Sequence, residues 1–320
     1  MLDRSAAAEL PTPEIARWRR GNAGIDYVHR RVGKAPGPHA LITALMHGNE
    51  ICGAIALDRL LRSDFTPARG IATFAFLNVA AFERRSAVRA GALRYVDEDM
   101  NRLWSAARLD GPERSTELAR ARLLRPAVDA ADCLLDLHSM VEGEEPLGLT
   151  GPHARGLALA RRMAYPATLI ADPGHAAGVR LRDYDGFGAA EGSKTALLVE
   201  CGRHDAAASA DVAFEACVRF LAALDMLEPA LARRHLAAPA APQRAIEVTH
   251  VVTIETDEFA FVRPWRTLET LPEAGTLYAR DGKRELRTPY DGCIAIMPSR
   301  TRRRGTTAIR LGRCIELSRA

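Results

Sequence analysis

Lysine is almost missing from this 320-residue chain: it occurs only at Lys34, Lys194 and Lys283, and arginine carries nearly all of the positive charge. Coding bias produces such a swap, so the arginine excess is not by itself a sign of function. The net charge of +4 is modest. The one basic run, Arg300-Thr301-Arg302-Arg303-Arg304, is short, has no interleaved aromatics and lies between two strand-like runs. It reads as a solvated hairpin loop, and no nucleic-acid partner is expected. No apolar run approaches the length of a membrane span, and the start Met1-Leu2-Asp3-Arg4 lacks the charged-then-apolar pattern of a secretory leader. No Cys-x-x-Cys pair occurs among the six scattered cysteines, several of which sit in apolar runs as buried, reduced thiols would. The expected compartment is the cytoplasm, with no membrane partner. No internal repeat is visible. What remains is ordinary for a globular enzyme: 48% hydrophobic and 26% charged residues, in a chain long enough for one large domain and a small one.

The informative segment is Met46-His47-Gly48-Asn49-Glu50. Before it, His39 to Met46 is an apolar run bounded by Pro38 and Gly48, which predicts an interior strand. After it, apolar residues recur at helical spacing from Ile51 to Leu61, with Asn49 or Glu50 placed to start the helix and Gly48 to allow a tight bend. An imidazole and a carboxylate at such a junction can share one ion. A catalytic zinc needs a third protein ligand and an open position for water. His138, at the end of the run Asp132-Cys133-Leu134-Leu135-Asp136-Leu137-His138, is the candidate. His47, Glu50 and His138 then make a two-histidine, one-glutamate set known for hydrolytic zinc. A His-x-x-Glu pair alone is a common accident. The reading gains from Thr195-Ala196-Leu197-Leu198-Val199-Glu200, where an apolar strand runs into a carboxylate that is rarely buried without a partner. Beside an ion, Glu200 is placed to act as a general base.

Strand and helix signals alternate over the first two-thirds of the chain. Strands are expected at 25–32, 74–78, 168–171 and 195–201, with helices at 115–124 (stopped by Pro126), 154–164 and 206–227. This predicts an α/β fold: a three-layer α/β/α domain around a mostly parallel sheet, with ligands beyond the carboxyl ends of the strands. His47, His138 and Glu200 all fall at such ends. The stretch 237–242 looks like a linker, and strands expected at 245–256, 258–262, 275–279, 292–297 and 307–311 predict a small C-terminal all-β domain. The boundaries are 1–236 for the catalytic α/β domain and 243–320 for the β-rich one.

Taken together, these residues resemble the succinylglutamate desuccinylase/aspartoacylase family, relatives of the zinc carboxypeptidases. The family's His-Gly-Asn-Glu motif stands as His47-Gly48-Asn49-Glu50, its Asp-Leu-Asn-Arg motif as Asp99-Met100-Asn101-Arg102 preceded by Arg94, and its Asp-Leu-His motif as Asp136-Leu137-His138. The glutamate of the family's active site aligns with Glu200. The resemblance implies zinc held by His47, Glu50 and His138. It implies that Glu200 takes a proton from the attacking water and passes it to the leaving amine. It also implies that Arg94 stabilises the oxyanion, and that Asn101 and Arg102 hold a substrate carboxylate. A salt-bridged loop of Arg94 and Arg102 with Asp97, Glu98 and Asp99 is the plainer reading of the same arginines. Asp136 either orients a ligand or caps a neighbouring backbone group.

The resemblance also has gaps. Where aspartoacylases carry an arginine ten residues before the glutamate, this chain has Ala190, with Arg180 and Arg182 nearby but shifted. The late tyrosine of those enzymes has only Tyr290 as a counterpart. The expected function is a zinc amidohydrolase that acts on carbon–nitrogen bonds other than peptide bonds, in linear amides. Its substrate is a small N-acyl amino acid or a related amine. The rivals are a metallocarboxypeptidase and a binding protein that keeps the fold without turnover. The close spacing of Arg94 to Asn101-Arg102, and a lid supplied by the β-rich domain, favour the small substrate. Self-association is left open.

Overall fold

The computed structural model describes residues 10–85, 93–175, 177–236, 241–300 and 302–317. In chain order the strands and helices are β1 (Val28–Val32), β2 (Ala35–Ala44), α1 (Cys52–Arg62), β3 (Arg69–Phe76), α2 (Val79–Arg85), α3 (Ala106–Asp110), α4 (Thr116–Asp129), β4 (Cys133–Met140), β5 (Leu147–Leu149), α5 (Ala154–Met163), β6 (Thr168–Ala171), β7 (Thr195–Arg203), α6 (Ala208–Ala223) and α7 (Pro229–His235). The C-terminal β region adds β8 (Arg244–Thr253), β9 (Ala260–Phe261), β10 (Thr270–Leu271), β11 (Leu277–Asp281), β12 (Arg284–Arg287), β13 (Cys293–Ile296) and β14 (Thr307–Ile315).

The core of the sheet is parallel, as expected. β2 pairs with β3 on one side and β4 on the other, and β4 pairs in parallel with β7. These strands are mostly apolar because both faces are covered, with Thr43, Thr73 and Asp136 as buried exceptions. Ala40, Ile42 and Ala44 of β2 pack with α1, α5 and α6, whereas Leu41 of the same strand packs with Leu118, Ala121 and Leu124 of α4 on the opposite face. That alternation is the three-layer arrangement expected of the α/β part. β1 and β5 run antiparallel to their neighbours β3 and β7. The sheet does not stop at the expected domain boundary: β8 pairs in parallel with β6, and β14, β13 and β10 continue the same sheet antiparallel. Strands β12, β11 and β9 form a separate antiparallel sheet. Of the expected linker 237–242, residues 237–240 lie outside the described residues.

Three local expectations are corrected. Pro126 does not stop α4, which runs on to Asp129 with Pro126 inside it. The proline forfeits one backbone hydrogen bond, but Val128 is packed in the core, and that burial holds the last turn. Helix α1 starts at Cys52 after Ile51, with no side-chain cap. Glu50 is not free to cap it, because its carboxylate is engaged by histidines. The bend before the helix comes from Leu45, at φ 60, rather than from Gly48. Gly48 is needed for close approach: a Cβ there would lie 2.5 Å from the carbonyl carbon of Ala81 in α2.

Candidate metal centre and its surrounding carboxylates

His47 follows β2, His138 lies in β4, and the hydrogen-bond register sets His138 beside Glu200 of β7. Glu50, in the turn after His47, reaches between the two imidazoles. Its Oε1 is 2.8 Å from His47 Nδ1 and its Oε2 is 2.8 Å from His138 Nδ1. All three side chains are buried, and one ligand atom from each lies within 4.8 Å of the others. The outward nitrogens are also held by carboxylates: His47 Nε2 by Asp99 Oδ1 at 2.9 Å, and His138 Nε2 by Asp136 Oδ2 at 2.9 Å.

This donor set fits a divalent cation. A neutral imidazole has one donor and one acceptor nitrogen, whereas carboxylate oxygens only accept. With both nitrogens facing carboxylates, a neutral ring leaves one nitrogen lone pair opposite a carboxylate oxygen. Burial works against charging His138, yet Asp136 and Glu50 raise its pKa well above the usual histidine value. Burial likewise works to raise the Glu50 carboxyl, but the rings of His47 and His138 hold it well below the usual range. An ion held by His47, Glu50 and His138 would take up those lone pairs. Asp99 and Asp136 then keep the Nε2–H tautomer in both rings, the usual role of a carboxylate behind a metal-bound histidine. Asp136 therefore holds the His138 ring rather than capping a backbone group. Its other oxygen accepts from the Thr43 hydroxyl at 2.7 Å.

Glu200 is buried, and its Oε2 has no hydrogen-bond partner among the described residues. Burial pushes its carboxyl up to about 8; His138 and Arg94 act against that shift, Glu50 and Asp136 with it. A dication nearby lowers such a pKa, which a base needs at neutral pH.

Arg94 donates from Nη1 to Glu50 Oε1 at 2.9 Å and sits 3.6 Å from Asp99. Arg102 donates to the carbonyl of Asn101 at 2.7 Å, and its nearest carboxylate oxygen, on Asp99, is 3.9 Å away. Asn101 is buried, with Oδ1 accepting from Leu181 N–H at 2.9 Å. The expected salt-bridged loop is only partly realised, since Asp97 caps α4 at Thr116 N–H and Glu98 pairs with Arg108. Arg180 and Arg182 are buried against Asp172 and Asp183, while the Ala190 carbonyl accepts from Arg155. The Tyr290 hydroxyl lies 2.5 Å from Thr249 Oγ1, and its ring packs on the core of the C-terminal β region.

Sequence reasoning missed the residue that shapes this loop. Glu117, fully buried in α4, accepts from the backbone N–H groups of Val96 at 2.6 Å, Asp97 at 3.1 Å and Glu98 at 3.3 Å, and from Asn78 Nδ2 at 3.0 Å. The signal was present: Glu117 stands on the stripe continued by Ala121, Leu124 and Val128, where a charge is out of place. Glu117→Gln turns one acceptor into a donor that faces amide N–H groups. It is expected to cost about 3 kcal/mol of stability in urea unfolding of the metal-loaded protein. It should leave metal content unchanged, because none of the candidate ligands His47, Glu50 and His138 lies on the 94–102 loop. A variant within about 0.5 kcal/mol of wild type would mean that the loop holds itself.

The model for the succinylglutamate desuccinylase/aspartoacylase catalytic domain matches residues 36–203, more than half of the chain. No curated protein matches the chain in sequence. Among solved structures, a succinylglutamate desuccinylase from Vibrio parahaemolyticus superposes with a TM-score of 0.67 at 18% identity, covering 91% of this chain and 87% of its own. A succinylglutamate desuccinylase/aspartoacylase from Rhodobacter sphaeroides gives 0.63 at 18%, covering 96% and 94%. A product-bound ectoine utilization protein from Ruegeria pomeroyi gives 0.57 at 19%, covering 89% and 87%. At these identities the likeness is one of fold.

Proposed function

The chain belongs to the succinylglutamate desuccinylase/aspartoacylase family, and from that premise we propose a zinc-dependent amidohydrolase that removes a small acyl group from an N-acyl amino acid or a related amine. The observation that carries this reading is the convergence of two imidazole Nδ1 atoms on the two oxygens of Glu50, beside the buried and unpartnered Glu200. Zinc held by His47, Glu50 and His138 would polarise the amide carbonyl and make water more acidic. Glu200 takes the proton of the attacking water and returns it to the departing amine, which needs a free carboxylate oxygen such as its Oε2. Arg94 donates to the oxygen on which negative charge develops, where a well-aimed donor contributes a few kcal/mol. Asn101 and Arg102 take the carboxylate of the amino-acid part. Arg102 suits this role because it is partly exposed and has no close carboxylate. The same reading keeps 1–236 as the catalytic unit and 243–320 as the β-rich unit. Six free cysteines suit a reducing compartment such as the cytoplasm.

A panel of N-acyl amino acids, each paired with its carboxamide, tests the proposal on zinc-loaded protein. Changing the substrate carboxylate to a carboxamide is expected to lower kcat/KM about 10²-fold, since truncating one partner of a desolvated ion pair costs several kcal/mol. Arg102→Ala should shrink that discrimination, and Arg94→Ala should slow both substrates. Equal hydrolysis of acid and amide would remove Arg102 from carboxylate recognition. Release of C-terminal residues from peptides in place of deacylation would move the reading to a carboxypeptidase, and metal binding without turnover to a binding protein.

A further inference from the structure

Strand β14 brings Arg310 into the loop that follows β6. Arg310 Nε lies 3.3 Å from Asp172 Oδ2, the oxygen that also accepts from Arg180 Nη1 at 2.7 Å. Its Nη2 faces both ring nitrogens of His175, at 3.1 and 2.7 Å. Arg180 and Arg182 share Asp183. This loop packs on the turn that carries Arg102. A Cβ on Gly178 would lie 2.4 Å from the Arg102 carbonyl oxygen, and Trp104 N–H donates to the Val179 carbonyl at 3.1 Å.

The charges do not balance. Three guanidiniums, on Arg180, Arg182 and Arg310, share the two carboxylates of Asp172 and Asp183, and Arg102 beside them has only Asp99, 3.9 Å away and also drawn to His47 and Arg94. One positive charge is left over among the buried three, and Arg102 is only loosely neutralised. His175 adds none: burial first, then Arg310, Arg102 and Arg180, hold its pKa far below the usual value, so it serves Arg310 as an acceptor. Arg180 Nη2 is buried with no partner among the described residues. A tie between loop and sheet needs no such surplus. Asp172 with Arg180, and Asp183 with Arg182, already balance without Arg310. Of the four, only Arg102 is appreciably exposed, at 22% against 5% or less for the others. The surplus field therefore meets solvent at Arg102.

We propose that Arg310, delivered from the C-terminal β region, is a specificity-determining residue: with Arg180 it sets unneutralised charge behind Arg102 and so decides how strongly the cleft prefers a carboxylate to a neutral group. This rests on the reading that Arg102 faces the substrate carboxylate. Arg310 acts through Arg102 and through its field, without touching the reacting atoms.

The test uses zinc-loaded protein and the variants Arg310→Met and Arg310→Lys. Arg310→Met leaves Asp172 paired with Arg180, so it is expected to fold; Arg310→Gln serves if it does not. The ratio of kcat/KM for an N-acetyl amino acid over its carboxamide should fall about tenfold in Arg310→Met, mostly through KM, as expected for a charge that acts through its field rather than by contact. Arg310→Lys should restore most of it. Independently of turnover, acetate at fixed ionic strength should raise the Tm of wild type and Arg310→Lys more than that of Arg310→Met. Acetate bound only to zinc would shift all three alike. A folded Arg310→Met with the wild-type ratio and the wild-type acetate shift would overturn the proposal. If wild type hydrolyses no N-acyl amino acid, the deacylase reading falls, and the acetate comparison still decides the role of Arg310.

Discussion

Glu200→Gln is expected to keep its metal and to lose activity by about 10²–10⁴, the usual range for removing a general base. The amide keeps the volume and one acceptor oxygen but cannot take a proton. Position 200 tolerates the change structurally, because Glu200 Oε2 has no partner to lose among the described residues and burial already favours its neutral form. Metal retention follows, because Glu200 stands outside the group formed by His47, Glu50 and His138. Metal analysis and steady-state kinetics on the same preparation check both halves. Turnover within a factor of a few of wild type would show that another group activates the water.

His138→Ala is expected to abolish metal binding, from about one equivalent per chain to almost none, because an open three-ligand site cannot spare a ligand. A second loss accompanies it. Asp136, fully buried, keeps the Thr43 hydroxyl but loses the imidazole on its other oxygen, and Glu50 loses the ring on Oε2. Two buried carboxylates are left short of positive charge, a kind of change that typically costs about 3–5 kcal/mol. The variant should therefore be less stable than wild type even when both are metal-free, which unfolding in the presence of a chelator measures. Full metal retention in both His47→Ala and His138→Ala would remove these rings from the ligand set.

The sequence by itself determined the strands that carry this centre and the residues at their ends. The apolar runs into His47, His138 and Glu200 are legible because a strand covered on both faces admits few polar residues, and those it admits, such as Thr43 and Asp136, are paired. The same patterning made the helices on either face and the turn to β structure after residue 243 visible. Periodicity reads one element at a time, however, and it failed where a partner from another element decided the outcome. Core packing of Val128 carried α4 past Pro126, and the engagement of Glu50 by two histidines left α1 without the cap its sequence offers. Asp99 behind His47, Glu117 beneath the 96–98 amides and Arg310 against Asp172 are separated from their partners by stretches of chain that no local pattern spans. Only the packing of loops, helix α4 and the sheet brings them together. A buried charge is tolerable only opposite a partner, and the identity of that partner is a property of the folded chain rather than of any segment of it.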